Sequence, residues 1–174
     1  MKCVVLDLEF TELVPEDTDD PLQSLEASNL HIACAATLLS DSSSQPLLWS
    51  PENDVDFLSV DILTHLIAYL QTMTSLGYVL VTWGGMSSDF RMLQKECPHL
   101  QSTIRTMALG SIDVPFVSAC HQGMLMSLAS AGDSLGISDK EPGSSKEIPY
   151  YWKAGQRDLV HNHVSRDVRL TMEV

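Results

Sequence analysis

The segment CVVLDLEF, residues 3–10, constrains this chain more than any other: it is a compact apolar run of strand type with two acids embedded in it. Side chains alternate along a strand, so Val4, Leu6, Leu8 and Phe10 share one face while Cys3, Val5, Asp7 and Glu9 share the other. On a central strand the two carboxylates stand roughly 7 Å apart. Desolvation and mutual repulsion there cost several kcal/mol unless cations or donors meet them. A divalent metal ion is the simplest offset. The alternative is a strand that has left the core by Asp7, with both acids in solvent.

The rest of the chain supplies partners for such a strand. The stretch TELVPEDTDDPLQSLEASN, with Glu12, Glu16, Asp17, Asp19, Asp20 and Glu26 and no basic residue, reads as an acidic loop. LHIACAATLLS reads as a second strand and QPLLWS as a short third, with DSSS as the hairpin turn between them. From Val55 to Leu76 the apolar residues recur at helical spacing, and Gly77 stops the helix. YVLVTW is a buried strand, and Gly84-Gly85 opens a turn into a helix with Ser87 as its N-cap. QSTIRTMALGSIDVPFVSAC and GMLMSLASAGDSLGI read as helical with Pro and Gly breaks, with Met124, Leu125, Leu128 and Leu135 in the core; DKEPGSSKEIP reads as loop. A last helix from about Gln156 to Val174 lines up Val160, His163, Val164, Asp167, Leu170 and Val174 on one face. This order predicts an α/β fold of three layers, a mixed central sheet flanked by helices.

Length and composition bound the function. At 174 residues, 44% hydrophobic and 19% charged, the chain suits a single domain spanning 1–174. No apolar stretch reaches the roughly 18–20 residues of a bilayer span, and MKCVVLDLEF turns acidic too soon for a secretory signal. The expectation is a cytoplasmic protein without a membrane partner. Cys3, Cys34, Cys97 and Cys120 are scattered, so reduced thiols are expected; pairings such as Cys97 with His99 or Cys120 with His121 lack the spacing of a closed zinc site. Ten Lys and Arg against 23 Asp and Glu give a formal charge of −13. A field of that sign repels phosphate backbones and argues against tight nonspecific duplex binding through a basic surface.

Three further residues bear on the acid pair. Asp89 falls in the first turn of the helix after VTWGGMSSDF, where the helix dipole favours an acid by about 0.3–1 kcal/mol with no function implied. Asp167 is harder to explain, because it occupies the apolar stripe of the last helix with His163 one turn before it on the same side. A satisfied core histidine is one reading of His163 and a catalytic one the other. Acids at a strand end, at the start of a helix beside the neighbouring strand and on an inward helix face converge at the carboxyl edge of a sheet. Asp7, Glu9, Asp89 and Asp167 would then hold two Mg²⁺ or Mn²⁺ ions, which prefer carboxylate and water oxygens.

These motifs, MKCVVLDLEF, VTWGGMSSDF and VHNHVSRDVRLTMEV, resemble in order and context those of the DEDD (DnaQ-like) 3′-5′ exonucleases, which have a ribonuclease H-like fold. The segments SIDVPF, SLASAGDSLGIS and WKAGQRDLVHNHVSRDV extend the resemblance to a bacterial and phage branch. It implies that Asp7 binds both metal ions, that Glu9 and Asp89 bind one each or through water, and that Asp167 completes the site. The branch has a Tyr four residues before the last Asp, where this chain has His163; histidine-type relatives place their His one residue earlier, where this chain has Asn162. His163 would orient or deprotonate the attacking water. The Asn common in the second motif is replaced, leaving Gly84 and Gly85. Tyr150, Tyr151, Trp152, Lys153 and Arg157 mix rings and cations before the last helix, where they would stack on and neutralise a strand end or anchor a loop. The candidate substrate contacts are Phe10, Thr11, Trp83, Trp152 and Lys153, and the expected partners are single-stranded or frayed 3′ ends of DNA or RNA. The implied activity is metal-dependent hydrolysis of phosphodiester bonds from the 3′ end. The alternative is a weakened or inactive module of the same fold with a binding role.

Overall fold

The computed structural model describes residues 1–13, 29–41, 45–52, 55–137 and 145–174. The acidic stretch from 14 to 28, the hairpin turn at 42–44 and most of the expected loop after 137 lie outside the described residues. The described chain runs β1 (Cys3–Phe10), β2 (Ile32–Leu39), β3 (Leu47–Trp49), α1 (Val60–Ser75), β4 (Val79–Thr82), α2 (Asp89–Glu96), a single 3-10 turn (Pro98–Leu100) and α3 (Gln101–Gly110). It continues with β5 (Ile112–Asp113), α4 (Val114–Gln122), α5 (Leu128–Leu135), α6 (Ile148–Lys153) and α7 (Arg157–Glu173).

The strands form a five-stranded sheet in the order β3-β2-β1-β4-β5. β1 lies at its centre, antiparallel to β2 and parallel to β4, with Asp7 beside Ala36, Glu9 beside Cys34 and Leu6 beside Thr82. Beyond Glu9 the pairing jumps to Phe10–Ile32 and skips Ala33, an irregularity that re-aims the strand end next to the two acids. Alternation on β1 divides the core as the sequence dictates. Val4, Leu6 and Leu8 pack with Leu63, Leu66, Ile67 and Leu70 of α1 and with Phe90 and Leu93 of α2. On the opposite face Val5 meets Val160, Val164 and Val168 of α7 and Trp152 of α6. The small residues Ala33, Cys34 and Ala36 on that face of β2 leave room for α7. The architecture is the expected α/β one, a mixed sheet flanked by helices and ribonuclease H-like.

Several local expectations are corrected. Helix α1 starts at Val60 rather than near Val55, because the Ser59 hydroxyl accepts from the Ile62 amide at 3.3 Å and caps it there. The cap of α2 is Ser88, not Ser87, whose hydroxyl donates instead to the Gly84 carbonyl at 2.6 Å. SIDVPF contains the strand β5, two residues being too short for any periodicity to register. The expected loop holds helix α6 from Ile148. Met124, Leu125 and Leu135 are exposed, at 62%, 73% and 55%, rather than core, and Leu128 is half-buried. Helix α5 buries only Ala131 and Gly132, so a backbone close to its neighbour turns the large side chains outward. In α7, Val174 is exposed and Leu170 half-buried, while the inward stripe continues through Val168 and Thr171. No helix among the described residues is long and apolar enough to cross a membrane.

Candidate metal centre and cleft

The strand does not leave the core at Asp7: Leu8 is 4% exposed and β1 continues to Phe10. Asp7 and Glu9 therefore point from a central strand towards α7. The turn of α7 that crosses them brings His163 and Asp167, and the His163 Nε2 atom lies 3.6 Å from Glu9 Oε1 and 3.4 Å from Asp167 Oδ2. Ligand atoms of Glu9, His163 and Asp167 fall within 4.8 Å of one another. Asp89 opens α2 at the edge of the same cleft and is 3% exposed, so it keeps its place in the first helical turn while being buried against the other acids. The cleft, of about 940 Å³, is lined by Asp7, Glu9, Asp89, His163 and Asp167 together with Phe10 and Trp83.

The electrostatics of this set are unfavourable without a cation. Burial first, then the charges of Glu9, Asp89 and Asp167, push the Asp7 carboxyl well above the usual range. Burial, then Asp167 and Asp89, does the same to Glu9, against a smaller pull downward from the Arg166 guanidinium. Burial lifts Asp89 to about 7 despite the Ser88 hydroxyl, which donates to its Oδ1 at 2.9 Å. The Asp89 Oδ2 atom is buried without a donor among the described residues. A buried carboxylate oxygen left open, beside acids that repel one another, fits a hard divalent cation. Arg166 is the cation that reaches the set: its Nε and Nη2 donate to Asp167 Oδ1 at 3.3 and 3.2 Å, and its Nη2 lies 3.3 Å from His163 Nδ1.

Asp113 was not singled out from the sequence. It is 5% exposed at the end of β5, and its two carboxylate oxygens accept from the Gly84 and Met86 amides at 2.9 and 2.8 Å. It thereby fixes the turn that delivers Asp89. Gly84 takes φ +79° there, and a Cβ on Gly85 would come within 2.6 Å of the Thr82 hydroxyl, so both glycines are required by the turn. The available signal was the one that exposed Asp7, an acid inside a short apolar run, Ile112-Asp113-Val114.

The expected substrate contacts divide. Phe10 and Trp83 line the cleft. Thr11, Trp152 and Lys153 do not, and each has a structural task. The Thr11 hydroxyl accepts from the His31 amide at 3.1 Å. Trp152 is 3% exposed, donates to the Asp56 carbonyl at 2.6 Å and carries the Arg157 guanidinium 4.8 Å over its ring. Lys153 pairs with Glu12 at 3.2 Å on the surface. Trp152, with Tyr151 packed partly against the same core, thus anchors α6 against the sheet, while Tyr150 is exposed.

A mixed five-stranded sheet with β1 central and helices on both faces defines an α/β ribonuclease H-like fold. No family model matches the sequence, and no curated protein does. Among solved structures, the fold is similar to part of the family B DNA polymerase from the hyperthermophilic archaeon Pyrobaculum calidifontis, with a TM-score of 0.67 and 14% identity. The match covers 98% of this chain and 23% of the polymerase, so the chain spans about a quarter of that protein's length.

Proposed function

We propose that this chain is a divalent-metal-dependent 3′-5′ exonuclease of the DEDD type, acting on single-stranded or frayed nucleic-acid ends. The observation that carries the reading is the gathering of Asp7, Glu9, Asp89 and Asp167, from β1, α2 and α7, around one cleft in which burial and mutual repulsion push Asp7 and Glu9 well above the usual carboxylate range. The fold it shares with part of a DNA polymerase supports a nucleic-acid substrate. In this reading the four acids hold two Mg²⁺ or Mn²⁺ ions, which when bound supply the charge that activates water and stabilises the leaving oxygen of a phosphodiester. Asp7, on the central strand, would bind both ions, Glu9 and Asp89 would bind one each or through water, and Asp167 would complete the set. His163, packed between Glu9 and Asp167, orients or deprotonates the water. Phe10 and Trp83 offer apolar surface against which a terminal base stacks.

The test is a single strand labelled at its 5′ or its 3′ end, incubated with the protein and Mn²⁺. Stepwise shortening of the 5′-labelled strand and release of labelled mononucleotide from the other are expected, and Asp7→Asn or Asp167→Asn should abolish both. Unchanged hydrolysis in either variant would overturn the assignment. One observation favours a second reading, a binding module without catalysis: Arg166 already lies on Asp167. A calorimetric titration in which Mn²⁺ fails to bind would decide for that module.

A further inference from the structure

Arg166 is not one of the acid ligands, yet it makes two contacts inside the cleft, and one of them fixes the chemistry of His163. The guanidinium carries five N–H donors and no acceptor, so in the 3.3 Å contact between Arg166 Nη2 and His163 Nδ1 the ring nitrogen accepts. Nδ1 therefore presents its lone pair to Arg166, and the ring's proton sits on Nε2. That atom faces the carboxyl oxygens Glu9 Oε1 at 3.6 Å and Asp167 Oδ2 at 3.4 Å, an environment compatible with a proton on Nε2. Arg166 is itself held by Asp167 Oδ1 through Nε and Nη2, and only 23% of its side chain is exposed, which keeps the guanidinium at the Nδ1 edge of the ring.

We propose that Arg166 is a positioning residue that holds His163 with its proton on Nε2, so that His163 serves the cleft as a hydrogen-bond donor to a water or phosphate oxygen rather than as the base that takes a proton. The consequence for turnover rests on the exonuclease reading; the state of the ring does not.

Two measurements separate them. Long-range ¹H–¹⁵N correlation of the His163 ring in the metal-free protein should show the Nε2–H form, retained in Arg166→Lys and replaced by a mixture of forms in Arg166→Met. A ring with its proton on Nδ1, or one indifferent to Arg166→Met, overturns the proposal whatever the protein's activity. In Mn²⁺-dependent nucleotide release, Arg166→Met should lower kcat on the order of tenfold with little change in KM, as loss of a residue orienting a site side chain does, and Arg166→Lys should restore most of it. In the His163→Gln background, whose amide presents a donor without needing Arg166, the same substitution should cost less than about twofold, a loss well short of that expected for an orienting contact. An equal loss in both backgrounds overturns the positioning role. If no form of the protein releases nucleotides, the exonuclease reading fails and the ring spectrum still decides the inference.

Discussion

Asp89 shows how a single buried residue ties stability to pH. Its carboxyl is held at about 7 in the folded chain against 3.8 for an unperturbed aspartate, and the cause is burial. Between those values the folded state binds the proton more tightly than the unfolded one. The contribution to stability is therefore fully present at low pH and is lost as pH rises towards 7. Asp7 and Glu9, raised as well, act in the same direction. Metal-free protein should lose thermal stability from about pH 4 to pH 7 through these groups, and Mn²⁺ should restore more of it the higher the pH, as the ion displaces protons. Thermal melts across pH with and without Mn²⁺ read both trends, and a stabilisation by Mn²⁺ that shrinks as pH rises would contradict them. By the same repulsion, Asp7→Asn should stabilise the metal-free protein. A relief of about 1 kcal/mol moves the midpoint of a domain this size by about 2–4 °C, and the variant should lose the rise that Mn²⁺ gives. Cys34, paired across from Glu9 and buried, has its thiol pushed up by burial and by Glu9 and Asp7. It should resist alkylation in the native state while exposed Cys120 reacts readily.

At the scale of elements, the turn from β4 to α2 is the part on which the centre depends. Asp113 is the tie: replacing it with Ala leaves the Gly84 and Met86 amides without their carboxylate, at a cost of about 1.5–3 kcal/mol for each charged hydrogen bond lost. Asp113→Asn, which keeps one acceptor, should cost less and should weaken Mn²⁺ binding through Asp89 more than it lowers the melting temperature. Gly85→Ala should be more damaging than its size implies, because Thr82 is fully buried and branched at Cβ and cannot give way. A calorimetric comparison of the three variants with the parent checks these claims. The elements also show why the sequence was legible in some places and not in others. The stripe on α7 and the alternation on β1 were readable because each spans enough turns or residues for burial to impose a period. Helix α5 was legible as a helix but its buried face was not, because its packing runs through Ala131 and Gly132, and small residues leave no apolar period to find. Trp152 stayed open between two readings because an aromatic beside cations has the same composition whether it stacks on a base or, as here, closes a core.

For the whole molecule the dominant quantity is a formal charge of −13. Attraction to a polyanion then rests on local cations, of which Arg166, Arg169 and Lys146 line the cleft. We expect binding to a short single strand to require the metal and to weaken steeply as salt rises, and a blunt duplex to bind poorly under all conditions. Fluorescence anisotropy with both substrates, at two salt concentrations and with Mn²⁺ or chelator, tests this; duplex binding without metal would contradict it. A chain organised around one sheet with a core on each face should also unfold in one cooperative transition.

What the sequence determined alone was the division of faces. Alternation on β1 and the helical period of α7 are backbone geometry, so Asp7 had to share a face with Glu9, and His163 with Asp167, once those elements formed. Which acids meet, and through which intermediaries, was decided by tertiary structure. The tie from Asp113 to the Gly84 turn spans elements 27 and 29 residues apart in sequence. Whether Trp152 faces solvent or core is set by how α6 docks on the sheet. Such contacts depend on distance in space, which no local pattern of residues encodes.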